Sequence, residues 1–286
     1  MTFFIGVPWF GREIWSDVLA FQERHDLGYT SMFLAVAVAI HNITHLAGNL
    51  VYWVFYHFEI PFIERYKSSD LAWPWYEDPE GFPSLARKSV AVLIFNSNVV
   101  LVSAYMLMDY LEIVEPHQMS VEDLPTPLTL ALTITFFMLV EDFFFYWAHR
   151  FLHWRVIYPY IHKIHHSHSS TIGIAAEYCH PIEFIFSNML PTSAGPAILG
   201  CNVHVLTVWA WYIIRFAETL DGHCGYEFSW SPFRLIPFSG SAEYHDFHHA
   251  VNVGNYGSFF SIWDSVFGTN TAFYHAQKEK RQGHPD

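Results

Sequence analysis

Eight histidines fall into three short clusters in the second half of the chain: His149 and His153; His162, His165 and His166; and His245, His248 and His249. Neighbours within a cluster lie mostly three or four positions apart, the spacing that puts side chains on one face of a helix. Imidazole is the commonest protein ligand for borderline transition metals. One ion does not take eight nitrogens at ligand distances near 2 Å, so two metals with about four or five ligands each is the economical arrangement. That many neutral imidazoles leave a site strongly cationic unless acids moderate it, and Glu141, Asp142, Glu177 and Asp246 lie nearby in sequence. Glu141 and Asp142 stand at the end of an apolar segment, where ionisable residues are costly and usually functional. They are expected to accept the ring N–H of a ligating histidine and so fix its tautomer.

The other histidines carry a plainer reading. His41, His45 and His57 sit in an apolar stretch and are read as hydrogen-bonded structural residues; His41 and His45 are spaced as a ligand pair, but no third partner stands beside them. His117, His204, His275 and His284 are read as structural too. The three cysteines Cys179, Cys201 and Cys224 show no CxxC pair, and the odd count argues against a disulfide framework. Cys179 and Cys224 are expected to be buried thiols.

These clusters need long apolar elements to hold them. Of the 286 residues, 52% are apolar and only 14% charged, against about 25% in soluble domains. The deficit of charge points to a membrane protein. A net charge of −13 argues against nucleic acid as a partner. No basic stretch leads into an apolar core and cleavage site at the N-terminus, so no cleaved signal peptide is expected. Pro8–Phe21 reads instead as an interfacial amphipathic helix with Trp9, Ile14, Trp15 and Val18 on its apolar part.

A spanning helix needs about 20 mostly apolar residues. Met32 to about Ile60, Ser89–Asp109 and Pro127–Trp147 meet that need. A fourth region, Ile182–Phe216, is broken by Pro191, Gly195, Pro196 and Gly200 and reads as a helical hairpin with its apex near Gly195, which need not cross completely. The loop Tyr110–Thr126 has no Lys or Arg, so the positive-inside rule makes it lumenal. Alternation then puts Pro61–Lys88, with Arg65, Lys67, Arg87 and Lys88, on the cytosolic side. The region after the third segment, with Arg150, Arg155 and Lys163, follows on that side, and so does the C-terminal part. All three histidine clusters fall there.

At this point the sequence resembles a known family. Glu141-Asp142-Phe143 through His149-Arg150-Phe151-Leu152-His153, Tyr160-Ile161-His162-Lys163-Ile164-His165-His166 and Tyr244-His245-Asp246-Phe247-His248-His249 resemble the three histidine boxes of the fatty acid hydroxylase superfamily. Finer features resemble the C-4 methylsterol oxidases within it: Ala176-Glu177-Tyr178-Cys179-His180-Pro181-Ile182-Glu183, Asp221-Gly222-His223-Cys224-Gly225-Tyr226, Gly254-Asn255-Tyr256-Gly257, and Trp263-Asp264 through Gly268-Thr269. The resemblance covers roughly Pro127 to Phe273.

The resemblance implies metal ligands at His149, His153, His162, His165, His166, His223, His245, His248 and His249, with His180 a ligand or near neighbour. Glu141, Asp142, Glu177, Asp246 and Asp264 would stand behind the ligands. It implies two iron ions, and electrons drawn from NAD(P)H through cytochrome b5 and its reductase. The expected reaction is dioxygen-dependent oxidation of a sterol C-4 methyl group to alcohol, aldehyde and carboxylate in the endoplasmic reticulum membrane. The fold implied is an all-α polytopic membrane protein, with about four transmembrane segments and a cytosolic helical cap. Its parts would be an anchoring region at 1–126, a catalytic domain at 127–273 and a loose polar tail at 274–286. Family members often end in a lysine-rich retrieval signal, whereas the final residues here are Gln282 to Asp286, so either retention rests on the membrane segments or the location is different. Phe143, Phe144, Tyr146 and Trp147 could wall a flat apolar substrate or face lipid. The same boxes serve sterol C-5 desaturases and fatty acid or cholesterol hydroxylases. A histidine-rich metal transporter would spread its ligands along the spanning segments, whereas here they cluster beyond the third.

Overall fold

The computed structural model describes residues 9–283 except residue 70. Among the described residues the architecture is all-helical, with isolated bridges and no strand. Helix α1 is Trp9–Arg24, α2 Tyr29–Phe58, α3 Phe82–Tyr110 and α4 Pro127–Leu152. A fifth helix, α5, covers 181–199, and α6 covers Val205–Gly222. Shorter helices follow: α7 Ala242–Val251, α8 Ile262–Phe267 and α9 Thr271–Gly283.

Helices α2, α3 and α4 are long and apolar enough to cross a membrane. Their apolar side chains point outward as well as inward: Ile43, Leu46, Leu50, Leu107, Leu128 and Leu132 are all exposed, as suits a lipid-facing surface. Pro127 occupies the first turn of α4, where its missing N–H costs nothing, and Thr126 caps that turn by accepting from the Thr129 N–H. α3 and α5 each contain a π-helical turn, at Asn96–Val100 and Phe184–Met189. Such turns insert a residue and often mark functional sites. Here Phe184, Asn188 and Met189 face a cavity inside the bundle.

The fourth region is a hairpin, as expected, but its apex differs from the expected one. Pro191 and Pro196 are accommodated within α5, and Gly195 lies inside that helix. The chain turns at Gly200–Asn202, where Gly200 adopts φ 51°, the left-handed region that favours glycine. That turn packs on the loop after α3: His117 Nδ1 bonds Gly200 O at 2.9 Å, and Gln118 pairs with His204. His204 caps α6 by accepting from the Leu206 N–H. The hairpin turn therefore sits at the end of the bundle that carries the loop after α3. α1 joins the same end, where Trp15 Nε1 donates to Met119 O.

Close packing of small residues seals the helices together. Gly195 of α5 meets Phe137 of α4 so closely that an added Cβ would stand 2.6 Å from Phe137 Cδ1 and 3.0 Å from its Cα. The second contact is backbone and cannot give way. Gly195→Val is expected to destabilise the protein by about 3 kcal/mol through overpacking, read as a lowered unfolding midpoint of the detergent-solubilised chain; an unchanged midpoint would refute this packing role.

The opposite end carries the segment 61–81, the residues after α4 and everything from His223 on. Lys67 pairs with Tyr226, the Ser68 N–H donates to Gly225 O, and Tyr226 OH donates to Glu64. The C-terminal stretch from Tyr274, expected to be loose, is helical through Gly283. Phe273 anchors it, its ring 5.0 Å from that of Tyr244 and 5.5 Å from that of Phe247. His284 lies outside the described residues.

Candidate metal centre

All three histidine clusters converge at one end of the bundle. α4 supplies His149 and, at its C-cap, His153. The second cluster lies on a 3-10 turn, His162–Ser167, rather than on an α-helix, and α7 carries the third. His223 arrives from the C-cap of α6. Together they form two groups in which the candidate ligand atoms all lie within 4.8 Å of one another. The first holds His149, His153, His162, His166 and His248; the second holds His165, His223, His245 and His249. The adjacent pairs His165–His166 and His248–His249 divide between the groups, because neighbouring side chains on a helical turn point apart. The groups adjoin, with the His166 and His249 rings 4.7 Å apart.

The donor set fits metal ions. His153 Nε2 lies 3.2 Å from His248 Nε2, and His166 Nε2 lies 3.1 Å from His162 Nε2. In the second group His245 Nε2 stands 2.9 Å from His223 Nε2 and 3.2 Å from His249 Nε2. Two nitrogens each about 2.1 Å from one ion and at right angles to it would be about 3.0 Å apart. Hydrogen bonds do not explain the arrangement. His223 and His249 each direct Nδ1 at a carbonyl, of Thr219 and His168, and so present bare Nε2 lone pairs. The single hydrogen His245 can carry on Nε2 serves only one of them. Five nitrogens in the first group also exceed the four ligands of a closed tetrahedral zinc site.

Burial keeps these rings neutral and ready to ligate. Against an ordinary value of 6.5, burial pushes His162 down to about 3. Burial, with neighbouring imidazoles adding to it, pushes His153 to about 2, His165 to about 4 and His223 to about 3.

The groups that hold the ligand tautomers are not the expected ones. Glu183 bonds His162 Nδ1 at 2.8 Å. Backbone carbonyls serve two others of the first group: Tyr256 O faces His149 Nδ1 at 3.0 Å, and Gly254 O faces His248 Nδ1 at 2.6 Å. Gly254 has φ 79°, and a Cβ there would collide with the Thr269 carbonyl, so only glycine presents that oxygen. Asp264 supports this loop by accepting the N–H groups of Tyr256 and Gly257 at 2.9 and 2.7 Å. Asp246 accepts from Thr171 N–H and Oγ1, tying α7 to the segment that supplies His168 O.

Glu141 and Asp142 therefore do not play the part expected of them. Glu141 accepts from Arg215 Nε at 2.7 Å, and Asp142 accepts the N–H groups of Ser258 and Phe260. Their positions on α4 turn them toward α6 and the 257–260 loop instead of toward the imidazoles. Glu177 reaches His41 and His45, away from both groups. His180 enters neither group: its Nδ1 caps α5 by accepting from the Ile182 N–H, which places it beside Glu183. Glu183 was legible only as an ionisable residue inside a motif, with nothing local to pair it with His162.

Glu183→Leu leaves His162 Nδ1 without its acceptor. It is expected to weaken metal retention in the first group by about 10- to 100-fold, measured by metal loss during dialysis against a chelator. Retention equal to the parent protein would remove Glu183 from this role.

Below the histidines lies a cavity of about 450 Å³ between α2, α3, α5 and α6. Phe33, Ala37, Tyr105, Pro196 and Phe216 give it apolar walls. Asn188, Arg215 and Thr219 line both this cavity and the smaller pocket under His149, His162, His165, His223 and His245. Phe143, Phe144, Tyr146 and Trp147 line neither; Tyr146 is buried and the other three are exposed.

Comparison with known proteins agrees with this geometry. The sequence model of the fatty acid hydroxylase family matches residues 134–269, a range that contains every histidine of both groups. The chain is 36% identical to methylsterol monooxygenase 1 of Gallus gallus over 78% of this chain and 72% of that protein. It is 38% identical to methylsterol monooxygenase 2-2 of Arabidopsis thaliana over 56% of this chain and 60% of that protein. It is 44% identical to a very-long-chain aldehyde decarbonylase of Oryza sativa subsp. japonica over 48% of this chain and 51% of that protein. The chain thus spans little more than half the length of several curated relatives it matches. No solved structure matches it significantly. Histidine groups drawn from α4, the 3-10 turn, α6 and α7, a matching family pattern and a relative aligned over most of its length lead to one conclusion: the chain belongs to the fatty acid hydroxylase family.

Proposed function

We propose that the chain is a membrane-bound di-iron monooxygenase that oxidises the C-4 methyl group of 4,4-dimethyl or 4-methyl sterols through the alcohol and aldehyde to the carboxylate. The observation that carries this reading is the convergence of nine histidines, in groups of five and four, at the polar end of an apolar cavity. The names of the chicken and Arabidopsis relatives supply the substrate class.

His149, His153, His162, His166 and His248 would hold one iron, and His165, His223, His245 and His249 the other. Two irons supply the dioxygen chemistry that an unactivated C–H bond requires. The chain does the remaining work. Apolar walls from Phe33 to Phe216 would orient a flat hydrocarbon and exclude water. A cavity near 450 Å³ lies within the range of about 300–1,000 Å³ usual for small-molecule sites. Asn188, at the junction of cavity and metal pocket, is placed to meet a polar substituent next to the reacting carbon. The sterol hydroxyl at C-3 adjoins C-4.

Electrons would come from NAD(P)H through cytochrome b5 and its reductase. The basic residues Arg65, Lys67, Arg150, Arg155 and Lys163 belong to the segments at the histidine end, and 110–126 carries none. The positive-inside rule then turns the metal centre to the cytosol, in keeping with an endoplasmic reticulum enzyme.

The test is incubation of membranes containing the chain with 4,4-dimethylsterol, NADH and dioxygen, with products read by mass spectrometry. C-4 hydroxymethyl and carboxyl sterols are expected. The rice relative makes a long-chain aldehyde the informative competing substrate. Consumption of that aldehyde with the sterol untouched would overturn the assignment.

A further inference from the structure

We propose that His41, His45 and Glu177 form a third metal site, taking one first-row transition-metal dication inside the helical bundle and facing the cavity. These residues belong to neither histidine group. His41 and His45 lie one turn apart on α2 with rings stacked 4.5 Å apart, and Glu177 comes from the segment before α5. Their candidate ligand atoms lie within 4.8 Å of one another. His41 Nε2 stands 2.6 Å from Glu177 Oε2, and His45 Nε2 stands 3.4 Å from Oε1. The three residues are 1%, 2% and 4% exposed, a depth at which polar groups are normally paired.

They are not fully paired. His45 has neither ring nitrogen in a hydrogen bond, and His41 Nδ1 is likewise without a partner. Nearby Arg215 directs its hydrogen bonds elsewhere, to Glu141 and Glu218, so the direct partners of the Glu177 carboxylate are the two imidazoles. A proton on His41 would account for the 2.6 Å contact as a charge-assisted hydrogen bond. It would leave His45 Nε2 facing Oε1 at a distance too long for a good bond. A cation in place of that proton engages Nε2 of both rings and a carboxylate oxygen together, and it neutralises the buried charge.

The donor set suits such an ion. Two imidazoles and one carboxylate, with further positions open, hold iron(II) or zinc in many enzymes. Phe184 and Phe216 stand edge-on to His41 and close the apolar side. His41 and Glu177 also line the 450 Å³ cavity, which offers both an entry path and room for a further ligand. This site rests on its own residues and stands whether or not the sterol is the substrate.

The experiment is metal counting on the full chain, purified in detergent without a histidine tag and equilibrated with cobalt(II), by mass spectrometry and by the cobalt ligand-field spectrum. The parent protein is expected to bind three equivalents. His41→Ala/His45→Ala and Glu177→Gln are expected to bind two and to lose one component of the spectrum. His45→Gln preserves side-chain bulk if the double variant does not fold, and it is expected to lose the same equivalent. Saturation of the parent protein at two equivalents overturns the proposal, as does binding of three by any folded variant.

Discussion

His165→Ala is expected to lower turnover by more than about 100-fold while the protein still inserts and accumulates. Loss of even an outer partner of a metal ligand costs about 10- to 100-fold, and His165 is one of only four donors in the second group. Its Nδ1 has no hydrogen-bond partner, so its removal breaks no bond that holds α4, α6 or α7 in place. The five donors of the first group remain, and the variant should hold one metal fewer than the parent. Turnover would be measured as oxidation of a 4-methylsterol in membranes, and metal by elemental analysis of the purified chain. Near-parental oxidation, or an unchanged metal content, would remove His165 from the centre.

Ala37→Trp should act at the other end of the problem. Ala37 is buried on α2 and lines the cavity. An indole there would occupy space that a rigid polycyclic substrate needs, and a misplacement of about 1 Å at a reacting centre already costs about 100-fold. The expectation is a fall of at least about that size in sterol oxidation with metal content unchanged. The pairing of unchanged metal with lost turnover separates a blocked cavity from a damaged centre. Undiminished oxidation would mean that substrate approaches the histidines by another route.

The two variants probe parts of the molecule that differed in how far sequence revealed them. His165 was legible because its signal is local. The HxxHH pattern recurs, and imidazoles at that spacing in apolar surroundings have few bland explanations. The same holds for the three long apolar helices and for the hairpin as an element, since length and hydropathy are properties of the segment itself. Ala37 carried no signal. An alanine in a spanning helix becomes a cavity wall only when α3, α5 and α6 close around it.

The acids illustrate the limit more sharply. Glu141 and Asp142 lie within reach of His149 along the chain, yet their side chains meet Arg215 and the 258–260 backbone. The carboxylate that does meet a candidate ligand, Glu183, lies 21 positions from His162. Glu177, 136 positions from His41, supplies the third partner that the His41–His45 pair lacked in sequence. Proximity along a helix fixes the face a side chain occupies, but not what that face meets.

The sequence by itself determined the helical class, the approximate apolar spans and eight clustered candidate histidines, because helical period, apolar length and imidazole spacing are local quantities; His223 entered only through the family resemblance. Tertiary structure decided the division into groups of five and four, the hairpin turn at Gly200–Asn202, the cavity and every tautomer-fixing partner. Each of these depends on how α2, α4, α5 and α6 pack, and packing is set by side chains that meet across many tens of residues, such as Gly195 against Phe137 and Gly48 against Leu220.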